Sequence, residues 1–174
     1  MAPSLRGHLY YSNAYIIAEE RKEKQQMIGN RRFIFLSTKF FRTYPANEYP
    51  ELEQKQDRPY VQVHVTIDGI HFAIPLRSSI HHPYVFWTDR ERKCGVDFSK
   101  AVVLPDESYI NEELTPYLRE NEYLALRGKD FIIKREMKKY IEKYKIAKQN
   151  MDNPFNRKLV QYSTLQYFET EIGL

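Results

Sequence analysis

An alternation of apolar and polar residues between positions 60 and 77 is the clearest structural pattern in this sequence. It is interrupted by Asp68-Gly69, a pair that favours a type I′ turn because both residues tolerate positive φ. The pattern therefore predicts a two-residue hairpin, in which positions equidistant from the turn pair across the strands. The predicted pairs on the apolar, core-facing side are Ile67 with Ile70, Val65 with Phe72, Val63 with Ile74 and Val61 with Leu76. On the opposite, polar side the same register puts Tyr60 beside Arg77, at the open end of the hairpin.

Shorter apolar runs predict further strands. Phe33 to Ser37 is a short run of strand-forming residues, and Tyr84 to Thr88 and Phe98 to Leu104 have the same character. The charged residues 89–93 are expected to form the loop between the last two strands. In a strand that begins near Phe98, Asp97 and Ser99 would share one face while Lys100 points to the other.

Helical periodicity is strongest from Asp130 to Lys148, where apolar residues recur on one face. These residues are Ile133, Met137, Tyr140, Ile141 and Tyr144. Ser37 to Tyr44 is expected to begin a short helix and Asn153-Pro154 to cap a last helix running toward Phe168. Asn13 to Gly29 has the composition of a charged helix. These elements predict an α+β fold, in which helices pack on a strongly curved antiparallel sheet.

The bulk properties narrow the class of protein. With 174 residues the chain can form one domain with a sizeable core. We expect that domain at 32–174, preceded by an N-terminal extension or adjunct helix at 1–31. The net charge of +4 is compatible with a nucleic-acid partner without requiring one. The single cysteine, Cys94, excludes a disulfide framework and a cysteine-based zinc site. No apolar run has the length of a membrane span and no signal-peptide pattern is visible, so a cytoplasmic location is expected.

The residues that follow the predicted hairpin concentrate chemical groups suited to cutting RNA. A guanidinium, two hydroxyls and two imidazoles stand within positions 77–82. Cleavage of RNA through its own 2′-OH needs a base for that proton, an acid for the leaving 5′-oxygen and a cation for the phosphorane charge. His81 and His82 are suited to proton transfer near neutral pH, and Arg77 is suited to binding phosphate. This chemistry requires neither a metal ion nor another cofactor.

The same residues also have a purely structural interpretation. A Ser-Ser pair at the end of a strand is typical of a turn, and two histidines before Pro83 are typical of a solvated loop. A metal site formed by His81 and His82 with His64 or His71 is a further alternative. It is disfavoured because no carboxylate or cysteine stands at a suitable spacing. Glycine-rich phosphate loops and the serine-hydrolase motif are absent from the sequence.

Several lysines are candidate contacts for RNA phosphates. Lys39 follows the first predicted strand, where a surface lysine is the alternative interpretation. Lys100 is either a phosphate ligand or a lysine at the sheet edge. Lys134 and Lys138 lie on the long predicted helix, where they either bind RNA or belong to a charged face that is exposed to solvent. Aromatic side chains of the same helix, including Phe131, either stack on bases or belong to the core.

Four stretches of the chain, in their order and spacing, resemble the CptN/TenpN toxins of type III toxin–antitoxin systems. They are Phe33 to Phe40, Arg58 to Val61 together with Asp68 to Ser78, Lys93 to Val103, and Ser163 to Phe168. The resemblance implies a ToxN/AbiQ-like fold, a compact twisted antiparallel sheet surrounded by helices. It also implies a sequence-specific, metal-independent endoribonuclease of antiviral defence that leaves 2′,3′-cyclic phosphate and 5′-OH ends.

The resemblance also implies RNA partners. One is a cellular or phage RNA substrate. The other is a short repeat-derived RNA antitoxin, a pseudoknot that the toxin cuts from its precursor and that then inhibits it. Toxin and antitoxin are expected to form a closed protein–RNA assembly.

Individual residues carry over unevenly from the family. The family's active-site stretch reads Pro-Leu-Arg-Ser here, so Ser78 matches, Arg77 replaces a threonine, and His81 or His82 occupies the region of a following lysine. Another functional lysine of the family, just after a proline, corresponds to Tyr60. The expected catalytic residues are Arg77, Ser78, His81, His82 and Tyr60, and the expected RNA-binding residues are Lys39, Arg58, Lys100, Lys134 and Lys138. The alternatives are a non-catalytic RNA-binding module and a protein-interaction domain that docks through the lysine-rich helix.

Overall fold

The computed structural model describes residues 32–54 and 60–174, which form an antiparallel sheet with helices packed on it. The strands are β1 (Phe33–Ile34), β2 (Gln62–Ile67), β3 (Ile70–Arg77), β4 (Val85–Asp89), β5 (Cys94–Asp97) and β6 (Val102–Leu104). The helices are α1 (Thr38–Thr43), α2 (Glu120–Leu126), α3 (Asp130–Gln149) and α4 (Pro154–Tyr162). Short 3₁₀ turns span Phe98–Lys100, Glu107–Tyr109 and Thr164–Tyr167. The predicted α+β class is confirmed. The helix predicted from Asn13 to Gly29 and the extension at 1–31 lie outside the described residues.

The predicted hairpin is confirmed as β2 and β3. Asp68 and Gly69 form its turn with φ angles of 50° and 82°, as a type I′ turn requires. The register pairs Val65 with Phe72 and Val63 with Ile74, as the alternation predicts. The sheet has the order β1-β2-β3-β5-β4, and β6 also pairs with β3. The hairpin therefore forms the centre of the sheet, and β3 is its most connected strand.

The second, polar face of the hairpin is largely enclosed. Gln62 and His64 are both buried on that side. The His64 ring stacks on the His71 ring, with Nε2 of the first 3.0 Å from Nδ1 of the second. The Thr66 hydroxyl lies 3.1 Å from the same His71 nitrogen. Hydrogen bonds among His64, Thr66 and His71 thus satisfy groups that burial would otherwise penalise, whereas the buried Oε1 of Gln62 has no hydrogen-bond partner among the described residues.

The prediction of a strand from Phe98 to Leu104 is wrong for its first half. The chain that pairs with β3 leaves the sheet between β5 and β6, so the pairing is interrupted there. β5 pairs with Leu76 and Arg77 of β3, whereas β6 pairs with residues 71–73. Between these paired stretches, two residues of β3 face five residues of the outer edge, 97–101. The surplus residues form the 3₁₀ turn Phe98–Lys100.

Pro75 gives the physical reason for this interruption. The backbone N–H of the next residue, Leu76, donates to Val61 on the β2 side. Because N–H groups alternate in direction along a strand, the position of Pro75 faces the β5–β6 side. Proline has no N–H to donate, so the ladder on that side lacks a donor where the 3₁₀ turn departs from it.

The long predicted helix is confirmed as α3, and all five of its predicted apolar positions are buried. Asn153 caps α4 by accepting a hydrogen bond from the backbone N–H of Phe155, with Pro154 in the first turn, as predicted. That helix ends at Tyr162, and a 3₁₀ turn continues toward Phe168. The short helix α2 was not predicted from the sequence. No helix among the described residues is both long and apolar enough to cross a membrane.

We expect Gly95→Ala to lower the free energy of unfolding by roughly 1–3 kcal/mol, since added atoms in a filled space force neighbouring groups to shift. A Cβ at Gly95 would meet the carbonyl oxygen of Phe86 and would come within 2.7 Å of a Val85 methyl carbon. Chemical denaturation measures the loss. Gly69→Asn is the control, because that turn position is open to solvent and asparagine tolerates its positive φ. Equal stability of the Gly95 variant and the wild type would contradict the packing described for β4 and β5.

Candidate active site at the end of the hairpin

A buried carboxylate, Asp97, lies at the centre of the polar groups at the end of β3. Its side chain is 0% exposed. Asp97 caps the 3₁₀ turn that follows β5, because its Oδ1 accepts hydrogen bonds from the backbone N–H of Ser99 at 3.0 Å and from the Ser99 hydroxyl at 2.7 Å. Asp97 therefore belongs to a turn that exists because the outer ladder is interrupted beside Pro75.

Arg77 supplies the positive charge that compensates this carboxylate. Its Nη1 donates to Oδ2 of Asp97, and its Nη2 lies 2.6 Å from Oε1 of Glu53. Burial alone would raise the pKa of Asp97, but hydrogen bonds from His82 and Ser99 and the charge of Arg77 together hold it below its ordinary value. Burial alone would lower the pKa of Arg77, but Asp97 and Glu53 raise it overall. One guanidinium is thus held between two carboxylates.

His82 is fixed on both sides of its ring. The backbone N–H of Tyr84 donates to Nδ1 at 3.2 Å, so the neutral imidazole carries its proton on Nε2. That Nε2 lies 3.2 Å from the Ser99 hydroxyl and 3.3 Å from Asp97 Oδ1. With one nitrogen accepting and the other donating, His82 is suited to orienting Asp97 and Ser99 rather than to exchanging protons with a substrate.

Ser78 and His81 are the predicted catalytic residues that face solvent. Ser78 is exposed and makes no side-chain hydrogen bond to any residue that the structure describes. Nδ1 of His81 lies 3.1 Å from Nζ of Lys93. The two segments are joined by the backbone N–H of Ile80, which donates to the Lys93 carbonyl. An imidazole with a cation on its inner nitrogen and solvent on its outer side therefore stands three residues from an exposed hydroxyl.

The helix α3 contributes to this end of the sheet through Tyr140 and Lys143. The Tyr84 ring packs between the rings of His82 and Tyr140, with centroid distances of 5.8 and 5.2 Å. The Lys143 ammonium lies 5.1 Å from the centroid of the Tyr84 ring. Burial raises the pKa of Tyr140, and its hydroxyl donates to Ser163. Lys143 is therefore a cation close to the His82 side of the cluster.

Neither the family models, the curated proteins nor the solved structures compared with this chain give a match.

The predicted RNA-binding cations lie at different places. Lys100 is close to the cluster, where its Nζ lies 2.6 Å from Glu51 Oε2 and 3.1 Å from the carbonyl of Tyr162. Lys39 lies against the 3₁₀ turn Glu107–Tyr109, where it donates a hydrogen bond to the Ser108 hydroxyl and lies over the Tyr109 ring. Arg58 lies outside the described residues.

Lys134 and Lys138 lie at the opposite end of the hairpin from Arg77. Lys138 pairs with Asp68 in the hairpin turn, with Nζ 3.0 Å from Oδ2. Lys134 lines the same groove between α3 and the turn. The eight residues of β3 separate this groove from Arg77 by a length on the order of 25 Å, since a strand rises about 3.3 Å per residue. These two lysines therefore do not belong to the cluster around Asp97.

The sequence interpretation did not assign a role to four residues of this site: Asp97, Glu53, Lys93 and Lys143. In the sequence, Lys93 is one of the charged residues of the predicted loop 89–93, and nothing there distinguishes it from its neighbours. Tyr60 lies close enough to Arg77 for its phenol to act on the pKa of that guanidinium. The hairpin register had placed these two side by side, although β2 begins only at Gln62.

The metal alternative is not favoured by the positions of the histidines. His64 and His71 bond to each other inside the sheet, whereas His82 bonds to Asp97 and His81 to Lys93. No group of three or more metal-ligating side chains is found among residues 32–54 and 60–174.

We expect Arg77→Ala to destabilise the fold by about 3–5 kcal/mol, because it leaves the enclosed Asp97 carboxylate without its cation. The double variant Arg77→Ala/Asp97→Asn should recover a large part of this loss, because the uncompensated charge is gone. Urea denaturation of the wild type, both single variants and the double variant measures the coupling. Strictly additive losses would mean that Asp97 does not depend on Arg77.

Low pH should lower the free energy of unfolding, because it protonates the Asp97 carboxylate. Because its pKa is lower in the folded protein than the unfolded value near 3.9, its contribution is complete above about pH 4 and is lost as the pH falls through the folded pKa. The free energy of unfolding, measured from neutral pH downward, should therefore fall less steeply below pH ~4 in Asp97→Asn than in the wild type. Asp152→Asn, which removes an exposed carboxylate, should leave the slope unchanged.

Proposed function

We propose that this protein is an endoribonuclease toxin of a type III toxin–antitoxin system, which cleaves RNA without a metal and acts in the cytoplasm. The observation that carries the proposal is the exposed pair of His81 and Lys93, with the exposed Ser78 three residues before His81 at the end of the strand that carries Arg77. The sequence resemblance to the CptN/TenpN toxins supports the same conclusion. Both lines of support converge on the turn 78–82.

His81 is the proton donor in the proposed reaction. Lys93 donates to Nδ1, so the neutral ring carries its proton on the exposed Nε2. Nε2 gives that proton to the leaving 5′-oxygen while Nδ1 takes one from the Lys93 ammonium, so the imidazole is neutral before and after the step. Lys93 recovers its proton from water. General acid catalysis of this kind contributes roughly 10²–10⁴-fold to a rate.

The remaining groups act on the nucleophile and on the phosphate. Ser78 donates a hydrogen bond to a phosphate oxygen and holds the 2′-OH in position for attack. Tyr60, whose phenol lies close enough to Arg77 to act on the pKa of that guanidinium, takes the 2′ proton as the phenolate. The products are a 2′,3′-cyclic phosphate and a 5′-OH.

The groove beside the hairpin turn supports contact with a longer RNA. Lys134, Arg135 and Lys138 line it together with Phe131, whose side chain is exposed. Cations next to an exposed aromatic ring are the groups that bind phosphates and stack on bases. A groove far from the turn 78–82 suits a repeat-derived RNA antitoxin that remains bound in a closed assembly after it has been cut.

A non-catalytic RNA-binding module is the second candidate function. It is favoured by the ion pairs of Arg77 and Lys100, two of the predicted phosphate-binding cations, with carboxylates of the chain itself. In this alternative the turn 78–82 is a solvated loop. The two candidates differ in whether RNA incubated with the protein acquires cyclic-phosphate ends.

We expect Ser78→Ala and His81→Ala to abolish RNA cleavage and growth arrest, with a loss of roughly 10²–10⁴-fold for His81→Ala. Both side chains are exposed, so the thermal unfolding midpoint should stay at the wild-type value. The measurement is the formation of 2′,3′-cyclic phosphate and 5′-OH ends on RNA incubated with purified protein. Ser79→Ala, which removes a neighbouring exposed hydroxyl, is the control and should retain activity. Growth arrest that persists in both variants would reject this assignment.

A further inference from the structure

Two carboxylates from one short segment pair with two cations at the candidate site. Glu53 Oε1 lies 2.6 Å from Arg77 Nη2, and Glu51 Oε2 lies 2.6 Å from Lys100 Nζ. The side chains of Arg77 and Lys100 are 21% and 13% exposed, and both glutamates are 23% exposed. These ion pairs therefore lie at the surface of the site, with one side open to solvent.

The segment is held in place by its neighbours. Leu52, between the two glutamates, is buried in the core. The backbone N–H of Glu51 donates to the Tyr167 hydroxyl at 3.4 Å, and the Gln54 amide donates to the Tyr44 carbonyl at 2.5 Å. Leu52 is directed into the core, and the glutamates on either side of it pair with the two cations.

Arg77 and Lys100 share three carboxylate partners, those of Asp97, Glu51 and Glu53. Asp97 is fully enclosed and already compensates Arg77. Glu53 is thus a second carboxylate on a cation that has one, a pairing that the stability of the fold does not require.

We propose that Arg77 and Lys100 form a binding site for phosphates of an RNA strand, and that Glu51 and Glu53 occupy it in the absence of RNA. The inference rests on the proposed RNA-directed function, since RNA is the ligand that it names. Incoming phosphates displace the two carboxylates, while Asp97 keeps its contact with Arg77. The segment 51–54 therefore competes with the substrate and limits binding to RNAs that supply enough phosphate contacts elsewhere.

The test measures the binding of a short fluorescein-labelled 2′-O-methyl RNA, which has no 2′-OH and cannot be cleaved, by fluorescence anisotropy. Glu53→Gln should bind it roughly tenfold more tightly than the wild type, since one charge-assisted contact is freed. The slope of log affinity against log salt should steepen by about 0.7 for that contact. Glu51→Gln should act in the same way through Lys100. Glu48→Gln is the matched control, because Glu48 lies in the same loop, is exposed and has no ion pair within the described part of the chain.

The gain in RNA affinity of the glutamate variants must depend on Arg77 and Lys100. In the background Arg77→Gln/Asp97→Asn, which removes a cation together with its buried counterion, Glu53→Gln should no longer increase affinity. In the background Lys100→Met, Glu51→Gln should likewise have no effect. Thermal unfolding of each variant checks that the fold is retained, and the two independent pairs keep the test decisive if one background is unstable.

Affinities of Glu51→Gln and Glu53→Gln that match Glu48→Gln would overturn the inference, as would gains that persist without the cations. Cleavage of unmodified RNA is scored separately from binding. Cyclic-phosphate products without any gain in affinity would refute the proposal that Glu51 and Glu53 occupy a phosphate site, and would support the nuclease function. A gain in RNA affinity without RNA cleavage by any variant would support the phosphate site and refute the nuclease function.

Discussion

The enclosed Asp97 carboxylate is the group on which the arrangement at the end of the hairpin depends. A charge without access to water is tolerated only where a counterion and hydrogen bonds surround it, and Arg77, His82 and Ser99 all direct polar atoms toward it. Arg77 and His82 are engaged inward and Ile80 is buried, whereas the three polar residues between them, Ser78, Ser79 and His81, are left at the surface. The exposure of Ser78 and His81 is therefore a consequence of a buried ion pair that involves neither of them.

The position of that carboxylate follows from a backbone constraint in the neighbouring strand. Pro75 has no N–H, and its position faces the edge where β5 ends and β6 has not yet begun. The surplus residues of that edge turn inward as a 3₁₀ turn, which Asp97 caps and which brings its carboxylate to Arg77. A proline within a central strand is usually unfavourable. Here it lies where the ladder is interrupted, so no hydrogen bond is lost on that side.

The parts of this structure that the sequence predicts are those set by local periodicity. The turn at Asp68-Gly69, the pairing of β2 with β3 and the buried face of α3 follow from side-chain spacing alone. The 3₁₀ turn at 98–100 was missed because its apolar neighbours look like a continuous strand, and its cause lies in another strand, at Pro75. The pairing of His81 with Lys93 and of Arg77 with Glu53 depends on the relative positions of distant segments, which spacing does not encode.

Arg77 serves the fold through one carboxylate partner, Asp97, and the phosphate binding that we propose involves the other, Glu53. Asp97 is 0% exposed and cannot exchange with a ligand without opening the core, whereas Glu53 is 23% exposed and lies on the solvent side of the same guanidinium. A phosphate that replaces Glu53 leaves the guanidinium paired on both sides, so the fold loses nothing when the ligand enters. The planar geometry of arginine allows this division, because its two terminal nitrogens bind separate anions. A lysine at this position would present one point charge to both anions, so an arginine suits a place where the fold and the proposed phosphate ligand share one cation.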